Sequence, residues 1–471
     1  MNFTDNVFVL FFAAVFALYY LPPLRRLQVW ILVGGSLLFY AAEAPILLFL
    51  LLASCTICAV CSYYCIKFQN PWVRSLWAGA GVAINLGLLG FFKYKFLFFS
   101  PDTIGPGTMA SPESLIKTLL LLPLPIGISF YTFHGISLLV DSLRRNESFF
   151  QAYDKDFRTH YLDTVLYLAF FPQLVAGPIM KAKDFLPQIA IKRFADIDWD
   201  SAIRCLILGY FLKVVIANNL QDQTFFMQAP YFRGLSSINL LFLLFGYSAQ
   251  IFADFAGYSL IAIGLAKLLG YRLPDNFNFP YISQSIAEFW RRWHMSLSSW
   301  LRDYLYIPLG GSRHGRYRTY ANLLIVMTLG GLWHGAAWSF AVWGIWHGLG
   351  LAVERPLLKT WLYTTDNRIA ALLKMLGVFV FVSLGWLLFK LTHFSDAIDY
   401  FRAIGGNSSL PIGSLAVGLV ILYSLPVLIW HIHYLWRPRV LVQFRILIYS
   451  AMVFLIAMNP GRKAAFIYFQ F

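Results

Sequence analysis

Nine histidines are present, and two of them stand where an imidazole could do chemistry. His334 lies in Leu329-Gly330-Gly331-Leu332-Trp333-His334-Gly335-Ala336-Ala337-Trp338, directly after the apolar Leu323–Leu329. An ionisable side chain among apolar neighbours is costly inside a membrane and marks a site by default. Gly330, Gly331, Gly335 and Ala336 remove bulk around it, so a substrate or a second helix can come close. The plainer alternative is a neutral histidine satisfied by one hydrogen bond inside a helical bundle. His294 lies in Glu288-Phe289-Trp290-Arg291-Arg292-Trp293-His294-Met295-Ser296-Leu297-Ser298-Ser299-Trp300-Leu301-Arg302-Asp303-Tyr304. As a helix, this stretch gathers Phe289, Trp293, Leu297 and Trp300 on one face and puts Arg291 and Arg302 elsewhere. It is expected to be amphipathic, with its aromatic face at the membrane interface and its arginines free to meet an anion such as a nucleotide phosphate. The Pro308-Leu309-Gly310-Gly311 turn then leads back toward His334.

Other residues carry less. Asp254, within Ala249–Tyr258, is a carboxylate in an apolar run that could orient a histidine or act as a hydrogen-bond hub. His347 shares the segment of His334, His314 lies in a polar loop, and the His431-x-His433 pair reads as interfacial, because a metal site needs three or four ligands. Cys55, Cys58, Cys61 and Cys65 reproduce an iron–sulfur spacing. With no Gly or Pro interrupting Ala53–Ile66, however, spacings of three and four place them on one helical face. They read as small hydrophobes, and no metal site is expected. Nucleophile-elbow, zinc-helix and phosphate-loop signatures do not occur.

The elements that position these residues are membrane elements. Of 471 residues 59% are hydrophobic and 13% charged, a balance that excludes a soluble globular or disordered chain. The net charge of +15 comes from short basic groups between apolar segments. This is the pattern of basic cytoplasmic loops and not of a nucleic-acid surface. With the N-terminus outside, Val7–Leu21, Leu27–Ala42, Ile46–Cys65, Leu76–Phe99 and Ser114–Val140 alternate direction. The Ser100–Glu113 loop, lacking Lys and Arg, then lies outside. Tyr161–Ile179 has basic groups at both ends and breaks at Pro172 and Gly177-Pro178, so it is expected to be re-entrant, covered by protein or a cavity. Ser201–Leu220, Leu240–Leu269, Ala321–Val353, Ala370–Leu391, Leu415–Trp430 and Ile446–Met458 follow. About eleven crossings in one all-α domain, 1–471, are expected, with Glu288–Arg318 cytoplasmic.

The chain resembles the membrane-bound O-acyltransferase (MBOAT) family, in its bacterial alginate O-acetyltransferase-like branch. The resemblance rests on Pro125–Phe133, Phe171–Ile179, Asp254–Ser259, Phe289–Gly311, Gly331–Gly335 and Phe466–Phe471. It implies a funnel-shaped helical bundle in the bacterial inner membrane, with re-entrant segments and cytoplasmic amphipathic helices. His334 would be the buried catalytic histidine and His294 the second one. Trp293, Arg291, Arg292, Trp333 and Asp254 would be substrate-binding candidates around them. It also implies an acyl donor, acetyl-CoA or another thioester, on the cytoplasmic side, with no bound cofactor. A separate extracytoplasmic partner in a polysaccharide synthesis or export complex would attach the acyl group to a hydroxyl. Such chemistry needs a base for the hydroxyl and donors for the developing oxyanion. His334 fits the first role; His294, Trp293 and backbone N–H groups are candidates for the second or for positioning the donor. Alginate, cellulose, peptidoglycan and the D-alanyl acceptor of teichoic-acid enzymes all remain open, as do a transporter and a non-catalytic scaffold.

Overall fold

A computed structural model describes residues 2–43, 45–98, 122–145, 150, 155–358, 360, 367–436 and 444–459. The Ser100–Glu113 loop, the start of Ser114–Val140, Arg437, Arg439 and the Phe466–Phe471 block lie outside the described residues. Every regular element among the described residues is helical. That is what hydrocarbon imposes, since a helix satisfies its own backbone without water.

Among the described residues five helices are long and apolar enough to cross a membrane: Pro45–Lys67, Pro71–Lys95, Ser237–Leu268, Arg368–Lys390 and Ser414–Trp436. About eleven crossings were expected; several of the expected segments form shorter or bent helices. Asn6–Tyr20 and Pro22–Ala41 meet at 95°. Each is about 20–30 Å long against a hydrocarbon core of roughly 30 Å, and the prolines Pro22 and Pro23 start the second helix at the bend. They therefore count as one bent element.

Two compact units emerge, residues 1–202 with 262–274, and residues 203–261 with 275–471. In the first, the four cysteines lie along the unbroken Leu48–Lys67 helix, all buried. Tyr161–Ile179 forms the Phe157–Ala169 helix, a single turn at Phe171–Leu174 and irregular chain after it. Thirteen helical residues reach only about 20 Å. The irregular stretch 175–181 is buried throughout; Tyr167 Oη donates to Met180 O at 2.7 Å, and just beyond it Ser137 Oγ accepts from Ala182 N–H at 2.8 Å.

The second unit holds both candidate histidines. Its most closely packed pair of helices is Gly315–His334 and Trp338–Leu357. A Cβ on Gly331 would collide with the Phe340 carbonyl, and one on Gly344 would lie 2.8 Å from Thr328 Cα. The glycines flanking His334 thus serve helix approach: at Gly335 the space is taken by the Phe340 ring.

Candidate active site

The segment bearing His294 is anchored at its start. Ser285 Oγ accepts the Glu288 N–H at 3.0 Å, capping the Ile286–Arg292 helix. The Glu354 carboxylate, from the Trp338–Leu357 helix, accepts the free Ile286 and Ala287 N–H groups at 2.5 and 3.0 Å. Glu354 is buried, and a carboxylate is the natural partner for unsatisfied N–H groups at the positive end of a helix. It fixes this segment to the helix pair that carries His334.

The expected continuous amphipathic helix is broken. Ile286–Arg292 ends at Trp293, and Met295–Leu301 begins after His294, whose φ of 42° lies in the left-handed region. The aromatic residues that gave the helical pattern do not lie at an interface either. Phe289, Trp293, Leu297 and Trp300 are all buried, with Trp293 packed on Phe289 at 5.6 Å and on Trp386 at 4.9 Å between ring centroids. Asn276 and Asn278 hold the break: Arg292 O accepts from Asn278 N–H, and Asn276 O accepts from Met295 N–H, each at 2.9 Å.

His294 is fully buried, and its Nδ1 lies 3.0 Å from Asn276 Oδ1. Loss of hydration drives its pKa down to about 3, so it is neutral at physiological pH. His334 is the last residue of its helix, and the chain turns to an extended conformation at Gly335. Its ring lies 5.0 Å from Trp333, 5.2 Å from both Trp343 and Phe389, and 6.4 Å from His294.

His334 lines a cavity of about 480 Å³, together with Arg291, Arg302, Ser298, Ser299 and Trp343. The wall on that side is mainly apolar, and its polar groups are the ones an anionic ligand would need. Arg291 therefore lies where a ligand could reach it. Arg292 is turned elsewhere, its guanidinium donating to Glu288 Oε1 at 2.8 Å and to the Asn278 carbonyl at 3.1 Å. Trp333 is buried with its ring 6.0 Å from His294, and Trp293 is part of the aromatic packing.

Asp254 is engaged by a lysine. It forms an ion pair with Lys213 Nζ at 2.6 Å, both side chains buried. Lys213 sits in a π-helical stretch, Phe211–Ala217, brought close by Gly209 and Gly257; a Cβ on either would lie 2.8 Å from the other's carbonyl oxygen. The neighbouring Phe255, not Asp254, meets His294, ring to ring at 4.6 Å. His347 is buried with neither ring nitrogen partnered among the described residues, its ring 4.9 Å from Trp343. His431, expected at the interface, is buried instead, its Nδ1 2.8 Å from the Val427 carbonyl. Lys213, Glu354 and Asn276 were not singled out by sequence. Lys213 is a lone charge in an apolar run, a usable signal, and Glu354 ends an apolar run beside Arg355; Asn276 offers none.

Comparison with known proteins sets this site in context. The model of the membrane-bound O-acyltransferase family matches residues 130–394, more than half the chain and including both histidines. The chain belongs to the MBOAT family. It is similar to the probable alginate O-acetylase AlgI of Pseudomonas aeruginosa, with 39% identity over 86% of this chain and 75% of that protein. It is also similar to the peptidoglycan O-acetyltransferase of Helicobacter pylori, with 33% identity over 83% and 76%. Similarity to the teichoic acid D-alanyltransferase of Bacillus subtilis is 28% identity over 59% and 70%. This MBOAT chain is thus a multi-pass membrane O-acyltransferase.

Proposed function

We propose that this MBOAT enzyme takes an acetyl group from a thioester donor on the cytoplasmic side of the bacterial inner membrane and passes it outward for O-acetylation of an exported polysaccharide. The observation that carries this reading is His334 on the wall of a cavity that also presents Arg291, Arg302, Ser298 and Ser299. Arginines are suited to the phosphates of a coenzyme A-type donor, and the apolar remainder suits a pantetheine arm. His334 is the general base: it removes the proton of the attacking hydroxyl, the oxygen adds to the thioester carbonyl, and the C–S bond breaks as the thiolate takes up that proton. The acetyl group then rests as an ester on that hydroxyl, and a separate extracytoplasmic acetyltransferase moves it to a hydroxyl of the polymer as the first ester bond breaks and its hydroxyl is freed again. The AlgI-like relatives favour alginate or a similar uronate polymer, and the H. pylori relative supports peptidoglycan as the second reading.

The test is full-length protein in proteoliposomes with [¹⁴C]acetyl-CoA supplied on the cytoplasmic face and the extracytoplasmic partner outside. Deacetylated alginate or peptidoglycan serves as acceptor. Label on the polymer that is lost in His334→Ala supports the reading. Undiminished labelling by a well-folded His334→Ala protein overturns it.

A further inference from the structure

We infer that Asn276 is a positioning residue that fixes His294 with its proton on Nδ1, leaving Nε2 as a hydrogen-bond acceptor for a hydroxyl group. The inference rests on the proposed acyl transfer and on the expectation, from the family resemblance, that His294 takes part in it, and assigns it a different part from oxyanion stabilisation.

The amide orientation follows from what surrounds it. Asn276 Oδ1 lies 3.0 Å from His294 Nδ1, 2.8 Å from Ser296 Oγ and 3.4 Å from the Ser296 backbone nitrogen. A backbone N–H only donates, so the end of the amide facing Ser296 and His294 is the oxygen. At its other end, Nδ2 donates to Ser259 Oγ at 3.0 Å. An oxygen opposite Nδ1 requires Nδ1–H, and in a neutral imidazole the second nitrogen then carries a lone pair. Nε2 is buried and has no hydrogen-bond partner among the described residues. A buried acceptor of this kind is costly to leave unmet, and a neutral His294 so arranged cannot donate from Nε2 to an oxyanion. It accepts from an O–H.

The left-handed backbone of His294 belongs to the same arrangement. That conformation is unfavourable for a residue with a Cβ, and Asn276 holds it by accepting from the two residues that follow, from Met295 N–H at its carbonyl and from Ser296 N–H at its amide oxygen. Asn276, Ser259 and Ser296 are all buried, so water does not compete for these bonds. Among the described residues His334 is a titratable group near His294, at 6.4 Å between ring centroids.

The tautomer is read directly by ¹⁵N NMR on full-length protein labelled at histidine and held in nanodiscs, with the His294 signals assigned by their loss in His294→Ala. The expected result is a protonated Nδ1 and an unprotonated Nε2, redistributed toward Nε2–H in Asn276→Ala. A protonated Nε2 in the parent protein, or an unchanged tautomer in Asn276→Ala, overturns the inference. Transfer from [¹⁴C]acetyl-CoA in proteoliposomes gives the functional half. Asn276→Ala should lower it by about 10–100-fold, the range for removing a group that orients a functional histidine, and should add nothing in a His294→Ala background. Asn276→Asp keeps the acceptor oxygen and adds negative charge, which favours the imidazolium. It should retain the tautomer and move the acid limb of the rate profile to higher pH, whereas a packing role alone would leave the limb in place. Should His294→Ala transfer acetyl at the parental rate, the participation of His294 fails even if the tautomer is as expected; should His294→Ala be inactive and Asn276→Ala unaffected, only the role of Asn276 fails.

Discussion

Each of the two compact units contains a buried histidine followed by a glycine in a tight place, and the pair at His334 borders a cavity with the polar groups of a site. In the first unit His134 is fully buried, its Nε2 faces the Met180 N–H at 3.4 Å, and its ring lies against Tyr167. Gly135 beside it is pressed against Cys58, where a Cβ would lie 2.6 Å from Sγ. In the second unit His334 is almost as buried, and Gly335 is filled by the Phe340 ring. His334, however, opens onto about 480 Å³ shared with two arginines and two serines. A buried imidazole with a small neighbour is thus a packing solution in one place and, on the proposed mechanism, the general base in the other. What separates them is adjoining space and the chemistry of its walls.

The largest expected effect tests that separation directly. His334→Ala should lower acetyl transfer by roughly 10²–10⁴-fold, the usual contribution of a general base, with the thermal midpoint of the detergent-solubilised protein little changed. His134→Ala should do the reverse. It leaves the buried Met180 N–H without its partner, a cost of about 1–3 kcal/mol, while transfer per folded molecule stays at the parental level. Equal losses of activity in the two variants would erase the distinction.

Much of this contrast lies beyond what the pattern of residues displays. His134, His314, His334 and His347 are all followed by glycine, so the dipeptide does not discriminate. His334 stood out through its apolar run and cluster of glycines, and His294 through the aromatic and basic residues around it. The helical face of the cysteines was legible because Leu48–Lys67 has no breaker, and period alone decides such a helix. The break at His294 was not, since Phe289, Trp293, Leu297 and Trp300 recur at helical spacing whether or not the helix is continuous. Its cause is Asn276, 18 residues upstream, and pairings over that distance leave no local periodicity. The same holds for Glu354 capping Ile286, 68 residues away, and for Lys213 reaching Asp254. Asp254 was recognised as unusual, but its partner sits on another helix, so a histidine could not be distinguished from a lysine as the group it serves.

Ion pairs repeat the comparison at smaller scale. In the second unit Lys213 and Asp254 are 4% and 3% exposed, whereas in the first Lys155, paired with Asp163, is 31% exposed. Lys213→Ala leaves Asp254 charged and buried, which should cost about 3–5 kcal/mol and appear as a large fall in thermal midpoint or loss of folded protein. Replacing both, as Lys213→Met with Asp254→Leu, should recover much of that loss because no uncompensated charge remains. Lys155→Met should cost less than Lys213→Ala, since water already takes part in solvating the lysine. A double replacement no more stable than Lys213→Ala would mean that Asp254 is needed for more than its pairing with Lys213.

The smallest expected effect concerns the glycine of the first unit and what the cysteines are for. Gly135→Ala would press a methyl group onto Cys58 Sγ at 2.6 Å, and overpacking of a filled core usually costs about 1–3 kcal/mol. Cys58 lies at 0% exposure and takes a 3.4 Å contact from Asn85 Nδ2 and another from the Ser54 side chain, so its sulfur is a packing atom with weak polar contacts. If that is its whole role, Cys58→Ala vacates the space the new methyl needs. Gly135→Ala with Cys58→Ala should then be more stable than Gly135→Ala alone, as measured by thermal midpoint, and acetyl transfer should be unaltered in both. The same exchange is not open at Gly335, where the obstacle is the Phe340 ring that also packs on Phe389 at 5.1 Å, next to His334. There Gly335→Ala should displace aromatic groups that hold His334 and lower transfer as well as stability. If Gly135→Ala were instead to abolish transfer in a folded protein, the first unit would have to contribute to the chemistry, and the contrast between the two histidine–glycine pairs would be one of degree.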